Sequence, residues 1–234
     1  MLVVVASRHD RQARELVERW AGSGAGLLTC EDLSMQGWRY LQADPDGSVA
    51  VIGGELVAAD EVTGVLTRLP YVPESELPRI AREDRAYVAA EMTAFLQCWL
   101  ASLDCPVLNR PATTWISGPG WYQEQWVHVA ARHGIPVRPV RRHAALAADF
   151  REDEPATPVV TATVVGGRCL GAADDTLAAH GLRLARLARA DLLAVRFAET
   201  ADGPQLLDAD PYPDVSPPVV ADAIFEYLSD GGSC

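Results

Sequence analysis

A chain of 234 residues, 49% hydrophobic and 22% charged, is long enough for one large domain or two small ones and too apolar for intrinsic disorder. Its formal charge of -12 argues against a nucleic-acid partner, since a phosphate backbone is repelled by the global field and only Arg138, Arg141 and Arg142 cluster. No run is long and apolar enough to span a membrane, "MLVVVA" meets Arg8, His9 and Asp10 too soon for a signal-peptide core, and a cytoplasmic location is expected.

The five cysteines (Cys30, Cys98, Cys105, Cys169 and Cys234) lack C-x-x-C spacing and read as reduced thiols rather than a disulfide framework or a zinc site. All 20 basic residues are arginine; there is no lysine. A GC-rich genome explains that bias, and the consequence holds either way: neither a Schiff base nor a phosphate-binding lysine is available.

In chain order, "LVVVA" (2–6) is the unbroken apolar run of a strand buried on both faces. Asp10 to Trp20 spaces Ala13, Leu16, Val17 and Trp20 on one helical face, with Asp10 as N-cap. "GSGAG" (22–26) follows that helix instead of opening one, so it is a helix stop and not a dinucleotide loop. "LLTC" (27–30) is a second strand, the turn chemistry of 38–58 predicts hairpins or edge strands, and "GVLTR" (64–68) is a buried strand ending in Arg68.

A helix from about Arg82 to Leu103 carries an apolar face through Val88, Met92, Phe95, Leu96 and Trp99, with Glu91 on its flank. "CPVLNRP" (105–111) closes a strand into Asn109 and Arg110. A helix over 117–137 is expected, with Ser117-Gly118-Pro119-Gly120 at its start and Gly134 at its stop; His128 and His133, five apart, do not share a face as metal ligands. "TPVVTATVVGGRCLGA" (157–172) predicts a hairpin turning at Gly166-Gly167, and 174–190 a helix. The runs 191–197 and 204–210 predict an antiparallel pair around "TADG", and 216–228 a final helix with prolines in its first turn. The alternation of strands and helices up to about 111 predicts a mostly parallel α/β layer, 1–111, followed by an α+β half, 112–234, with an antiparallel sheet.

The strand ending "GVLTRLP", the long helix, "CPVLNRP", the helix ending "ARHGIPV" and the tail "LLAVRFAETADGPQLLDADPYPDVS" occur in an order that resembles the ATP-grasp carboxylate-amine ligases. The resemblance is especially to the ribosomal-protein glutamate ligase and the microviridin-type peptide ligases. The resemblance implies a pre-ATP-grasp-like N-terminal domain and a C-terminal ATP-grasp remnant. The chain also departs from that pattern. Gln123 stands where the family has a phosphate-binding lysine, and only about twenty residues, Val140 to Val159, occupy the place of the nucleotide lid. In the metal motif, Arg196 replaces the first carboxylate, Asp208 a glutamate and Asp210 an asparagine. A cation in place of a magnesium ligand disfavours the metal, and phosphoryl transfer depends on Mg²⁺ and cationic clamps.

Two readings of "QLLDADPYPDVS" (205–216) stay open. Asp208, Asp210 and Asp214 either hold a hard cation, or Asp208 and Asp210 pair with Arg196 across the hairpin. The candidate ligand surface is Arg68, Tyr71, Asn109, Arg110, Trp121, Gln123 and Arg196, with Arg68 and Arg110 alternatively bridging carboxylates such as Glu91. The expected function is an ATP-grasp-like protein that has lost ligation, takes no cofactor, and binds a small carboxylate or amine substrate, a peptide or a pathway protein, as a possible homodimer. Two alternatives remain. One is an enzyme of another class using the three aspartates with His143. The other is an active ligase, with ATP and Mg²⁺, in which arginines replace lysines.

Overall fold

The computed structural model describes residues 1–41, 47–140 and 158–231. Arg141, Arg142, His143, Cys234 and part of the "DPDG" turn therefore lie outside the described residues.

Two four-stranded sheets organise the chain. The first is parallel, in the order β2-β1-β5-β6, with β1 Leu2–Ala6, β2 Gly26–Leu28, β5 Gly64–Arg68 and β6 Val107–Leu108. The second is antiparallel, in the order β10-β9-β7-β8, with β7 Val159–Val165, β8 Arg168–Leu170, β9 Leu192–Thr200 and β10 Gly203–Asp210. A separate hairpin pairs β3 Val49–Ile52 with β4 Glu55–Ala58.

Strand alternation decides what covers the first sheet. Val3, Val5, Val65 and Val107 face one core, built with Leu96, Trp99 and Leu100 of helix α2 (Arg85–Ser102) and Ala50, Ile52 and Val57 of the hairpin. Leu2, Val4, Ala6, Leu66 and Leu108 face the opposite core, shared with Ala13, Leu16 and Trp20 from the α1 region (Arg11–Arg19) and Val220, Ile224 and Leu228 of helix α5 (Pro218–Ser229). Helix α5, although last in the chain, packs against the first sheet, and Val165 and Leu192 of the second sheet enter the same cluster. The second sheet is covered by α3 (Gln123–Arg132) and α4 (Asp175–Ala188), whose Trp126, Ala130, Leu177, Leu184 and Ala185 meet Val164, Leu193, Val195, Phe197 and Leu206.

The expected Asp10 cap is made, its side chain accepting from the Ala13 amide at 3.0 Å, and Asp174 caps α4 in the same way, accepting from Leu177 at 2.8 Å. Two expectations need correction. The second strand is Gly26–Leu28, not 27–30, and the helix expected over 117–137 is confined to 123–132. Residues 117–122 run non-helical because the segment is threaded between two side chains. A Cβ on Gly118 would lie 2.9 Å from Asn109 Cβ, and one on Gly120 would lie 2.1 Å from Trp115 Cδ1. Beyond the α3 stop, Pro136 and Arg138 bond Leu206 along the edge of β10, with Leu206 N donating to Pro136 O at 2.8 Å and Arg138 N to Leu206 O at 2.9 Å.

Candidate functional site

In the first sheet the chain leaves β1 for β2 on one side and returns to place β5 on the other, so the crevice beyond β1 and β5 is where an open α/β sheet binds ligands. Here the protein fills that crevice itself. Arg68, 4% exposed at the end of β5, donates Nε to Asp10 at 2.8 Å, Nη1 to the Pro213 carbonyl at 2.9 Å and Nη2 to Gln12 Oε1 at 2.9 Å. Its guanidinium sits 4.2 Å from the Tyr212 ring centroid, and Tyr212 Oη donates to Asp10 at 2.6 Å. Burial alone raises the Asp10 carboxyl, but the bonds from Tyr212 and Ala13 and the Arg68 charge outweigh it and hold the group below the ordinary carboxylate value. Burial and the bond to Asp10 push the Tyr212 phenol up to about 12.

Arg68 is thus not a ligand-contacting residue, and its carboxylate is Asp10 rather than Glu91. Asn109 is likewise structural. It is 1% exposed, donates Nδ2 to the Leu192 carbonyl at 2.8 Å and accepts from the Leu192 amide at 2.7 Å, riveting β6 to the start of β9. Arg110 turns away, donating to the Leu103 and Cys105 carbonyls beyond the end of α2 at 3.1 and 3.0 Å. Tyr71 borders a separate shallow groove along α2. Arg68 is spent on Asp10, Gln12 and a backbone carbonyl, and Asn109 and Arg110 on backbone groups.

The cleft proper, about 480 Å³, lies on the other side of the Tyr212 plug. It is lined by Trp115, Gly120 and Trp121, by Ala194 and Arg196 of β9 with Asp208 of β10, and by the turn from Asp210 to Asp214. The Trp121 ring stands 4.6 Å, centroid to centroid, from buried Trp126. Gln123, where the resemblance places a phosphate lysine, donates to the Leu207 carbonyl at 3.1 Å and so ties α3 to β10. Trp115 and Tyr212 were not among the candidate residues. Tyr212 stands between Pro211 and Pro213 and Trp115 between Thr114 and Ile116, and nothing local marks either as a cleft residue.

The strand pairing brings Arg196 opposite Asp208. Arg196 Nε donates to Asp208 Oδ1 at 2.6 Å, and its Nη2 bonds the other carboxylate oxygen, a two-pronged pair with side-chain exposures of 54% and 19%. The hydrogen bond to Asp208 raises the Arg196 pKa. Asp210 instead accepts from the Tyr212 amide at 2.8 Å, and its carboxyl is raised by lost hydration and then by Asp208. Asp214 caps its own turn, accepting from the Ser216 amide and hydroxyl and from Gln12 Nε2, and bonds from Ser216 lower its pKa.

A magnesium nucleotide does not fit this donor set. Asp208 gives both oxygens to an arginine, Asp214 is turned onto Gln12 and Ser216, and among the described residues no three His, Cys, Asp or Glu side chains gather as metal ligands. The metal reading of Asp208, Asp210 and Asp214 is therefore not carried by the geometry.

A parallel sheet capped by helices and joined to a second, antiparallel sheet whose terminal hairpin ends in an acidic turn is an arrangement that this chain shares with solved ATP-grasp proteins. Among solved structures, the macrocyclase MdnC from Microcystis aeruginosa MRC, bound with the precursor peptide MdnA, superposes with a TM-score of 0.69 at 13% identity, over 97% of this chain and 99% of that one. The ATP-grasp ligase PsnB, complexed with minimal precursor, Mg and ADP, gives 0.68 at 13% identity, over 97% and 98%. A RimK domain ATP-grasp protein from Sphaerobacter thermophilus DSM 20745 gives 0.55 at 17%, over 97% and 99%. No protein-family model matches the chain, and no curated protein matches it. Among the described residues no helix is long and apolar enough to cross a membrane.

Proposed function

We propose that this chain is an ATP-grasp-fold protein that has lost ATP-dependent ligation and uses its cleft to hold a peptide or a small amine- or carboxylate-bearing ligand. The observation that carries this is the two-pronged Arg196–Asp208 pair at the cleft floor, which puts a neutralised cation where the resemblance expects a metal carboxylate. Gln123 tethered to Leu207, the absence of lysine, and a stretch of only about twenty residues where a nucleotide lid would be support it further. So do the fold neighbours solved with precursor peptides. The two units in this proposal are 1–111 and 112–234, with α5 crossing back to cover the first sheet.

An active ligase with arginines in place of lysines is less well supported, because Arg196 is the one described arginine lining the cleft and Asp208 neutralises it. Thermal shift and hydrolysis with ATP and Mg²⁺ test the proposal. A ligand at a hundred times its dissociation constant stabilises by about 2.7 kcal/mol, so millimolar ATP·Mg²⁺ is expected to leave the melting temperature where Mg²⁺ alone leaves it. A clear rise, or ATP turnover above background, sinks the proposal.

A further inference from the structure

The walls and charges of the cleft specify a ligand class more narrowly than "peptide or small molecule". Three aromatic residues, Trp115, Trp121 and Tyr212, line a space of about 480 Å³, within the range of ligand pockets. The aromatic wall is a built one. Gly120 carries no side chain where a Cβ would collide with the Trp115 indole at 2.1 Å, and Trp121 is braced on the buried Trp126 ring. The charges lining the same space are Arg196, Asp208, Asp210 and Asp214. Arg196 is cancelled by Asp208, and Asp214 is held by Ser216 and Gln12. Asp210 is left as a carboxylate whose described hydrogen bond is a single backbone amide, that of Tyr212. The excess charge is negative, which repels phosphates and carboxylates and attracts a cation.

We propose that the cleft recognises an organic cation, an ammonium or guanidinium group, which pairs with Asp210 while its stem lies against the indoles of Trp115 and Trp121. A carboxylate beside aromatic walls is the combination that binds such groups, through ion pairing and cation–π attraction together. Lost hydration and the neighbouring Asp208 raise the Asp210 carboxyl against the opposing charges of Arg196 and Arg68, and an incoming cation offsets the repulsion from Asp208. This deepens the proposed function and rests on it, since it takes the cleft as a ligand site without nucleotide turnover. The cation has two sources, a free amine or the side chain of a peptide.

Titration calorimetry on the full chain separates them. The probes are acetyl-Ala-Arg-Ala-amide, the same peptide with citrulline, an uncharged isostere of arginine, the same peptide with glutamate, and agmatine. The arginine peptide is expected to bind at least tenfold tighter than the citrulline peptide, and the glutamate peptide to give no binding heat. Agmatine matching the arginine peptide assigns the site to free amines; agmatine weaker by tenfold or more assigns it to peptides. Asp210→Asn is expected to bring the arginine peptide down to the citrulline level without moving the citrulline affinity, whereas Asp222→Asn, on an exposed face with Arg19, changes nothing. Citrulline binding within threefold of arginine, an unaltered Asp210→Asn profile, or no binding of either cation overturns the inference. A melting-temperature rise with ATP·Mg²⁺ strikes the proposed function separately, whatever the peptides do.

Discussion

Replacing Arg68 by methionine keeps much of the side chain's bulk and removes one charge from the joint between the two sheets. Arg68 and Asp10 are 4% and 9% exposed at the side chain, so the change leaves a nearly buried carboxylate without its cation. Breaking a buried pair in that way costs about 3–5 kcal/mol. Asp10 keeps the Tyr212 hydroxyl and the Ala13 amide, which places the expected loss toward the lower end, while the Pro213 carbonyl and Gln12 also lose a donor. In a chain of this size each kcal/mol shifts Tm by about 2–4 °C, so Arg68→Met is expected to melt roughly 6–20 °C below wild type. The Asp10→Asn/Arg68→Met double variant is expected to recover part of the loss, because no unpaired charge remains. The pH dependence has a definite sign. Asp10 is depressed in the folded state, so its contribution is complete above the ordinary carboxylate value of 3.8 and is lost as pH falls through the folded value. The variant is expected to show a shallower acid limb than wild type. An Arg68→Met loss under about 1 kcal/mol, or a double variant less stable than the single, would refute the buried-lock account.

Arg196→Ala is expected to cost no more than about 1 kcal/mol in urea unfolding, because the pair with Asp208 is half in water, and the variant is the one in which Mg²⁺ or Ca²⁺ newly raises the melting temperature. If wild type already gains from Mg²⁺ and the variant loses that gain, the metal reading of the aspartates returns. Asn109→Leu strips the Leu192 amide and carbonyl of their partner in a dry interior and is expected to lose about 2–4 kcal/mol, read as a drop in Tm. Iodoacetamide at pH 8 followed by intact mass is expected to label exposed Cys98 in the native protein and spare Cys30, whose thiol burial pushes up to about 12; native labelling of Cys30 would show that the core around it opens.

Periodicity made most of the fold legible. The apolar runs at 2–6 and 64–68, the glycine pair at 166–167 and the caps Asp10 and Asp174 act locally, and they form where the local chemistry places them. The site was legible only in part, and the division follows sequence distance. Arg196 and Asp208 are twelve residues apart on one hairpin, near enough in sequence for the pairing to be anticipated, and a register shift between Leu206 and Asp208 sets them opposite each other. Arg68 meets Asp10 from 58 residues away and the Pro213 carbonyl from 145, and Asn109 reaches Leu192 across 83. A polar residue at a strand end looks the same in sequence whether it faces a ligand or a distant strand's backbone. The shortened α3 has the same origin: Gly118 and Gly120 read as the start of a helix, but their bareness makes room for Asn109 and the Trp115 ring.

The turn from Asp210 to Asp214 presents its two faces to different tasks. Tyr212 reaches inward to Asp10 and Arg68, while Asp210 and Asp214 border the cleft, and Pro211 and Pro213 restrict the backbone between them. A ligand of the proposed kind would therefore meet a wall already set by the fold, with little ordering left to do on binding. The same arrangement limits how the protein can drift toward new ligands. A change at 210 alters the cleft while touching the fold through the Tyr212 amide alone, whereas Asp214 is bonded by Gln12, which also accepts from Arg68, so changes at 212 and 214 both reach the joint.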